Sequence, residues 1–110
     1  MHEIFLKLIP LLLFTTSLWG VECLPKTYLQ LQKENRGQKK TIVFFASWCA
    51  ECSESLKNHQ PNSIFISVFD EKKRAEAVAT IFGLTHCVLD VDIAKSLGVT
   101  GVPTTKELQF

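Results

Sequence analysis

The sequence predicts a single α/β domain built on a parallel sheet, and three observations carry that prediction. Two near-continuous apolar runs, Thr41 to Ala46 (TIVFFA) and Ile64 to Phe69 (IFISVF), have the β-branched and aromatic content of strands covered on both faces. Helical patterns follow each run, and the order strand, helix, strand, helix implies parallel strands joined by right-handed crossovers. A chain of 110 residues is enough for one hydrophobic core and too short for two.

The amino terminus stands apart from this domain. Between Ile4 and Val21 the only charged residue is Lys7, and Leu8 to Phe14 is a dense apolar run broken by Pro10 and followed by Thr15, Thr16, Ser17 and Gly20. A weakly cationic start, an apolar middle and small residues near a cut are the order of a signal peptide, so residues 1–20 are read as one and residues 21–110 as the domain. Glu3 offsets Lys7, and Leu18 is a tolerable residue three places before a cut after Gly20. If the segment is not cut it becomes an amino-terminal anchor, because about 18–20 apolar residues span a bilayer. Both outcomes export the domain, to the periplasm or outside the cell, and membrane contact is expected only in the uncut form. Lipid attachment at Cys23 is disfavoured by Glu22, which stands where a small residue is wanted.

The elements follow in order. Lys26 to Asn35 reads as a helix with Tyr28, Leu29 and Leu31 as its apolar residues, stopped at Asn35, Arg36 and Gly37. Thr41 to Ala46 is the expected centre of the sheet. Ser47 is placed to cap a helix running through Cys49, Cys52 and Leu56 to about His59, before Pro61 and Asn62. After the strand Ile64 to Phe69, Asp70 caps a helix carrying Ala75, Val78, Ala79 and Phe82 on one side and ended by Gly83. Cys87 to Leu89 is a short extended piece, and Asp92 to Leu97 a short helix ended by Gly98.

Composition narrows the function. Charged residues make up 21% and the hydrophobic class 46%, which is ordinary for a globular protein and excludes both disorder and a multi-span membrane protein. The formal charge of +1 provides no long-range field, so nucleic acid is not an expected partner. Lys39 and Lys40, with Lys33 and Arg36, read as a solvated helix end.

All four cysteines, Cys23, Cys49, Cys52 and Cys87, lie in the exported part, where disulfides form and persist. Four cysteines allow three complete pairings, and spacing favours only the local pair Cys49 and Cys52. A dithiol that cycles needs two sulfurs close enough to bond without backbone movement, one of them a thiolate at working pH. Two cysteines three positions apart at a helix start share one face, and the helix's unpaired amides favour an anion on the first sulfur. Cys49 is therefore the expected attacking thiolate and Cys52 the resolving thiol. Trp48 beside them is both a packing residue and an apolar contact surface. The alternatives are a static disulfide and a zinc half-site, but zinc wants a second ligand pair and only His59, His86 and Cys87 remain. A c-type haem needs histidine after the second cysteine, where Ser53 stands. No cofactor and no metal are expected.

The stretch FFASWCAEC, followed about fifty residues later by LGVTGVPTT, resembles the thioredoxin superfamily, and closest the exported TlpA/ResA-like thiol–disulfide interchange proteins. The segment CVLDVDIAKSLGVTGVPTT is similar to that subgroup's approach to its proline loop, and the resemblance covers Thr41 to Thr105. It implies a thioredoxin fold with Pro103 as a cis proline against the disulfide. A cis bond there exposes the backbone of Val102 to an extended substrate segment, making Val102 and Pro103 substrate-binding positions beside Trp48. Without the cysteines, Val102 and Pro103 read as a plain turn leading into a strand. The implied partners are disulfide-containing exported proteins and an upstream thiol reductant, and the implied role is cell redox homeostasis.

Three features depart from the pattern. Cytosolic thioredoxins carry a buried acid in the strand before the cysteines, and Val43 occupies the matching position. Glu51 replaces the proline common between the cysteines, and its charge is expected to modulate the pair by disfavouring the Cys49 thiolate. The chain stops at Phe110, seven residues past Pro103, so Thr104 to Phe110 supplies one antiparallel strand, with Leu108 and Phe110 on one face, and the family's last strand and helix are missing. That leaves a sheet edge open. Cys87 reads as a buried small residue or as one half of a structural Cys23–Cys87 disulfide stapling a small core, and His59 and His86 read as surface histidines. Against the oxidoreductase reading stand a copper(I) carrier using the same soft thiolates and a truncated, non-catalytic binding module.

Overall fold

The computed structural model describes residues 20–110. All of the expected signal segment but Gly20 lies outside the described residues. Five strands form one sheet in the order β1-β4-β3-β2-β5. They are β1 (Cys23–Lys26), β2 (Lys39–Phe45), β3 (Ser63–Ser67), β4 (Cys87–Asp90) and β5 (Thr104–Gln109). The helices are α1 (Tyr28–Glu34), α2 (Cys52–Lys57), α3 (Lys72–Ile81) and α4 (Ile93–Ser96). The β1–β4, β4–β3 and β3–β2 pairs are parallel, and β5 runs antiparallel to β2 with Val43 opposite Thr105. Among the described residues β5 is the last strand of the sheet.

The runs read as doubly covered strands are buried on both faces because alternate side chains feed two cores. Val43, Phe45, Phe65, Cys23 and Cys87 pack with Cys52 and Leu56 of α2 and with Ala75 and Ala79 of α3. On the opposite face Ile42, Phe44, Ile64, Ile66 and Val88 pack with Leu31 of α1 and Ile93 and Ala94 of α4, and Leu108 and Phe110 close over them. Each fully buried Phe or Ile contributes roughly 1.5–3 kcal/mol, so these two layers are the main source of stability. Val102 touches both cores at the end of the sheet.

Several element boundaries differ from expectation for local reasons. Cys23–Lys26 is a strand, not the approach to a helix. Its Pro25 hid it, yet proline is tolerated because β1 is an edge strand. Helix α1 starts at Tyr28 behind a capping box: the Gln30 amide donates to Thr27 Oγ1 (3.2 Å) and the Thr27 amide to Gln30 Oε1 (2.8 Å). Lys39 and Lys40 open β2 and do not end a helix. Strand β3 stops at Ser67, and Phe69, expected inside it, sits at φ 53° with its ring 71% exposed. The exits of α3 and α4 match expectation, with Gly83 and Gly98 at φ 64° and 69°.

Candidate active site at the carboxyl end of strand β2

Strand β2 delivers the chain into a turn, and the two cysteines sit on it. The amide of Cys49 donates to Ala46 O (3.2 Å), Cys52 N to Cys49 O (3.2 Å) and Ser53 N to Ala50 O (3.4 Å). Regular helix begins only at Cys52, with Glu51 at the N-cap position and no capping side-chain bond. Cys49 therefore precedes α2, where the sequence placed it in the first turn, because these tight turn bonds occupy the chain before helical bonding starts.

Cys49 and Cys52 are disulfide-bonded, with Cα atoms 5.4 Å apart. Their exposures differ. Cys52 is 1% exposed and belongs to the core with Val43 and Leu56, whereas Cys49 is half-buried at the margin of the same core. Val102 packs against that core too. The Val102–Pro103 peptide is cis, and Pro103 is exposed. Glu51 is exposed. The position where cytosolic thioredoxins carry an acid is filled by Val43, buried at 2% exposure.

Trp48 is 60% exposed, and its indole Nε1 donates to the carbonyl of Phe69 (2.9 Å). Behind them lies a network that the sequence reading missed. Asp70 accepts from the Ser47 amide (2.6 Å), from Ser47 Oγ (2.6 Å), from Ser67 Oγ (3.0 Å) and from the Glu71 amide (2.9 Å). Ser47 and Asp70 were each expected to cap a helix; instead their side chains bind each other, and neither caps one. The reason is tertiary: parallel pairing of β2 with β3 sets the two post-strand loops side by side. One carboxylate thus fixes the loop that carries Trp48 and Cys49.

The other cysteines lie at paired positions of neighbouring strands. Cys23 of β1 and Cys87 of β4 are in register, 4.4 Å apart at Cα, and joined by a disulfide. The Cys23 amide also donates to Glu76 Oε2 of α3 (2.9 Å). His59 is exposed and sets its ring edge-on to Phe65 at 4.7 Å. His86, expected at the surface, is half-buried against the same Phe65 at 5.5 Å.

Comparison with solved structures places this architecture. MTB DsbF, solved in mixed oxidised and reduced forms, superposes with a TM-score of 0.50 at 15% identity, covering 71% of this chain and 74% of that one. A secreted Mycobacterium tuberculosis disulfide oxidoreductase homologous to E. coli DsbE superposes with a TM-score of 0.50 at 14% identity, covering 71% and 73%. The fold is thioredoxin-like. No family model and no curated protein matches the chain. Within the thioredoxin-like frame the cysteine turn follows β2, which lies between β3 and β5 and not at the centre expected for it because β1 and β4 add beyond β3, and the Val102–Pro103 bend enters antiparallel β5. Among the described residues of this thioredoxin-like domain, no helix is long and apolar enough to cross a membrane.

Proposed function

We propose that the chain is an exported thiol–disulfide oxidoreductase in which Cys49 attacks and Cys52 resolves. The observation that carries this reading is the unequal exposure of two bonded sulfurs: Cys49 at the margin of the core, Cys52 sealed within it. Only the first can meet another protein's sulfur, and only the second is sheltered from it. A disulfide with a merely structural role needs no such difference.

In the reducing direction the Cys49 thiolate attacks one sulfur of a substrate disulfide. A Cys49–substrate bond forms, the substrate's bond breaks, and the departing thiolate takes a proton from solvent. Cys52 then gives up its proton and attacks the Cys49 sulfur. The internal disulfide closes, the second substrate thiol leaves, and two electrons have passed to the substrate. An external thiol reductant must restore the pair, and the reverse sequence oxidises a dithiol. Trp48 offers an apolar wall to the incoming segment, and the backbone at Val102 and Pro103 offers it hydrogen bonds. The apolar segment within residues 1–20 supports export, to the periplasm or beyond the cell. The partners of this reading are disulfide-containing exported proteins and a thiol reductant.

Cys52→Ser is expected to accumulate mixed disulfides with partner proteins, visible on non-reducing gels and lost with dithiothreitol, while Cys49→Ser accumulates none. A reduction potential measured against glutathione gives the direction of electron flow. If neither thiol alkylates faster than free cysteine at neutral pH, and the pair does not open and close reversibly, the reading is wrong.

A further inference from the structure

A cleft of about 300 Å³ is lined by none of the residues of the cysteine turn. Lys40 is the second residue of β2 and His86 directly precedes β4, so that side of the cleft lies where these strands begin, while Lys26, the last residue of β1, reaches it from the edge strand; Cys49 lies beyond the end of β2. Its rim gathers Lys26, Lys40, His59 and His86, with the carboxamides of Asn35 and Asn62, over a floor that includes Phe65.

Lysines are ordinarily the most solvated of side chains, yet both of these are drawn in. The Lys26 side chain is only 28% exposed, and Lys40 is half-buried. Among the described residues each ammonium has one partner: Lys26 Nζ donates to Glu34 Oε1 and Lys40 Nζ to Asn62 Oδ1, both at 2.6 Å. Each has two further protons to give. His59 Nδ1 donates to Leu56 O (2.7 Å), so in the uncharged ring its Nε2 is an acceptor, whereas His86 Nδ1 meets the Thr85 hydroxyl (3.1 Å) and, accepting from it, leaves an Nε2–H for a ligand. Among the described lining residues Glu34 is the one carboxylate, against the two ammoniums of Lys26 and Lys40.

We propose that this cleft binds an oxyanion of the phosphate class, at a site separate from the disulfide and independent of the redox reading. Two ammonium groups with N–H donors to spare, lining one partly desolvated cleft beside the His86 imidazole, are the chemistry that recognises phosphate oxygens. The depressed basicity of His86, caused by burial first and then by Lys26 and Lys40, agrees with unneutralised positive charge there. A bound anion relieves that repulsion and shifts His86 back toward the protonated form.

The test is an NMR titration of the His86 imidazole in the full chain at constant ionic strength. Inorganic phosphate and phosphatidic acid vesicles are separate arms, and chloride is the control. The expected result is a saturable shift of the His86 resonances with a raised titration midpoint in at least one arm; which arm responds tells a free phosphate from a lipid headgroup. Lys40→Met is expected to weaken the response about tenfold, the usual effect of losing one hydrogen bond from a charged group. A response no larger than that to chloride overturns the proposal, as does an undiminished response in a folded Lys40→Met variant. The wild-type titration needs no substitution, so a variant that does not fold leaves the test decisive.

Discussion

Glu51 stands between the two cysteines, and its exposure limits what its charge does. A carboxylate in high dielectric is screened, and exposed charge pairs are commonly worth about 0.2–1 kcal/mol. Glu51→Gln is therefore expected to speed alkylation of reduced Cys49 at neutral pH by less than about fivefold, the equivalent of about 1 kcal/mol. A stopped-flow iodoacetamide profile against pH reads this directly, and a larger change would make Glu51 a principal determinant of the nucleophile. His86 has the opposite setting. Burial, with help from Lys26 and Lys40, holds its pKa below the usual 6.5, so between the two values the unfolded chain binds a proton that the folded chain does not. Stability then rises with pH through that interval, and the penalty is complete below it. The urea midpoint of the wild type is expected to fall more steeply between about pH 7.5 and pH 5 than that of His86→Gln. Equal slopes would mean that His86 is not held neutral by the fold.

At the scale of elements, the loops after β2 and β3 act as one unit. Asp70 gathers hydrogen bonds from both, and Trp48 adds another to the Phe69 carbonyl. Asp70→Ala leaves the Ser47 amide and two hydroxyls without their acceptor, at a cost of about 1–3 kcal/mol for unsatisfied groups that are partly buried. Asp70→Asn, which retains one accepting oxygen, is expected to lose roughly half as much in chemical denaturation. This unit also marks where sequence reading ends. Strands β2 to β4 and helices α1 to α4 were legible because apolar runs and helix-ending glycines are local signals. Ser47 and Asp70 read as helix caps from their local context, but they are 23 positions apart and only parallel pairing makes them partners of each other. The start of α2 was misplaced for a related reason: short turn bonds from Cys49 to Ser53 compete with helix, and residue types alone do not decide between them.

At the scale of the whole molecule, the least legible strand is the one held by a covalent bond. Strand β1 has four residues, one of them proline, with Leu24 and Pro25 exposed, so neither propensity nor burial announces it. Its place in the sheet rests on pairing with β4 alone, and the Cys23–Cys87 disulfide fastens that pair. The bond spans 64 positions, so in the unfolded chain it closes a loop that takes in α1, β2, the cysteine turn and α3. Chain-entropy reasoning assigns about 4 kcal/mol to a loop of that length. A small domain of typical marginal stability would lose a large share of the total with it. Cys87→Ser in a Cys23→Ser background is therefore expected to lower stability by about 2–4 kcal/mol, with β1 amides the first to lose hydrogen-exchange protection. The same substitutions separate the two disulfides chemically. If Cys23 and Cys87 serve only the fold, the double variant keeps the wild-type reduction potential at Cys49 and Cys52 under conditions where it is folded. A shifted potential would instead show that the buried core shared by the four sulfurs couples the two bonds.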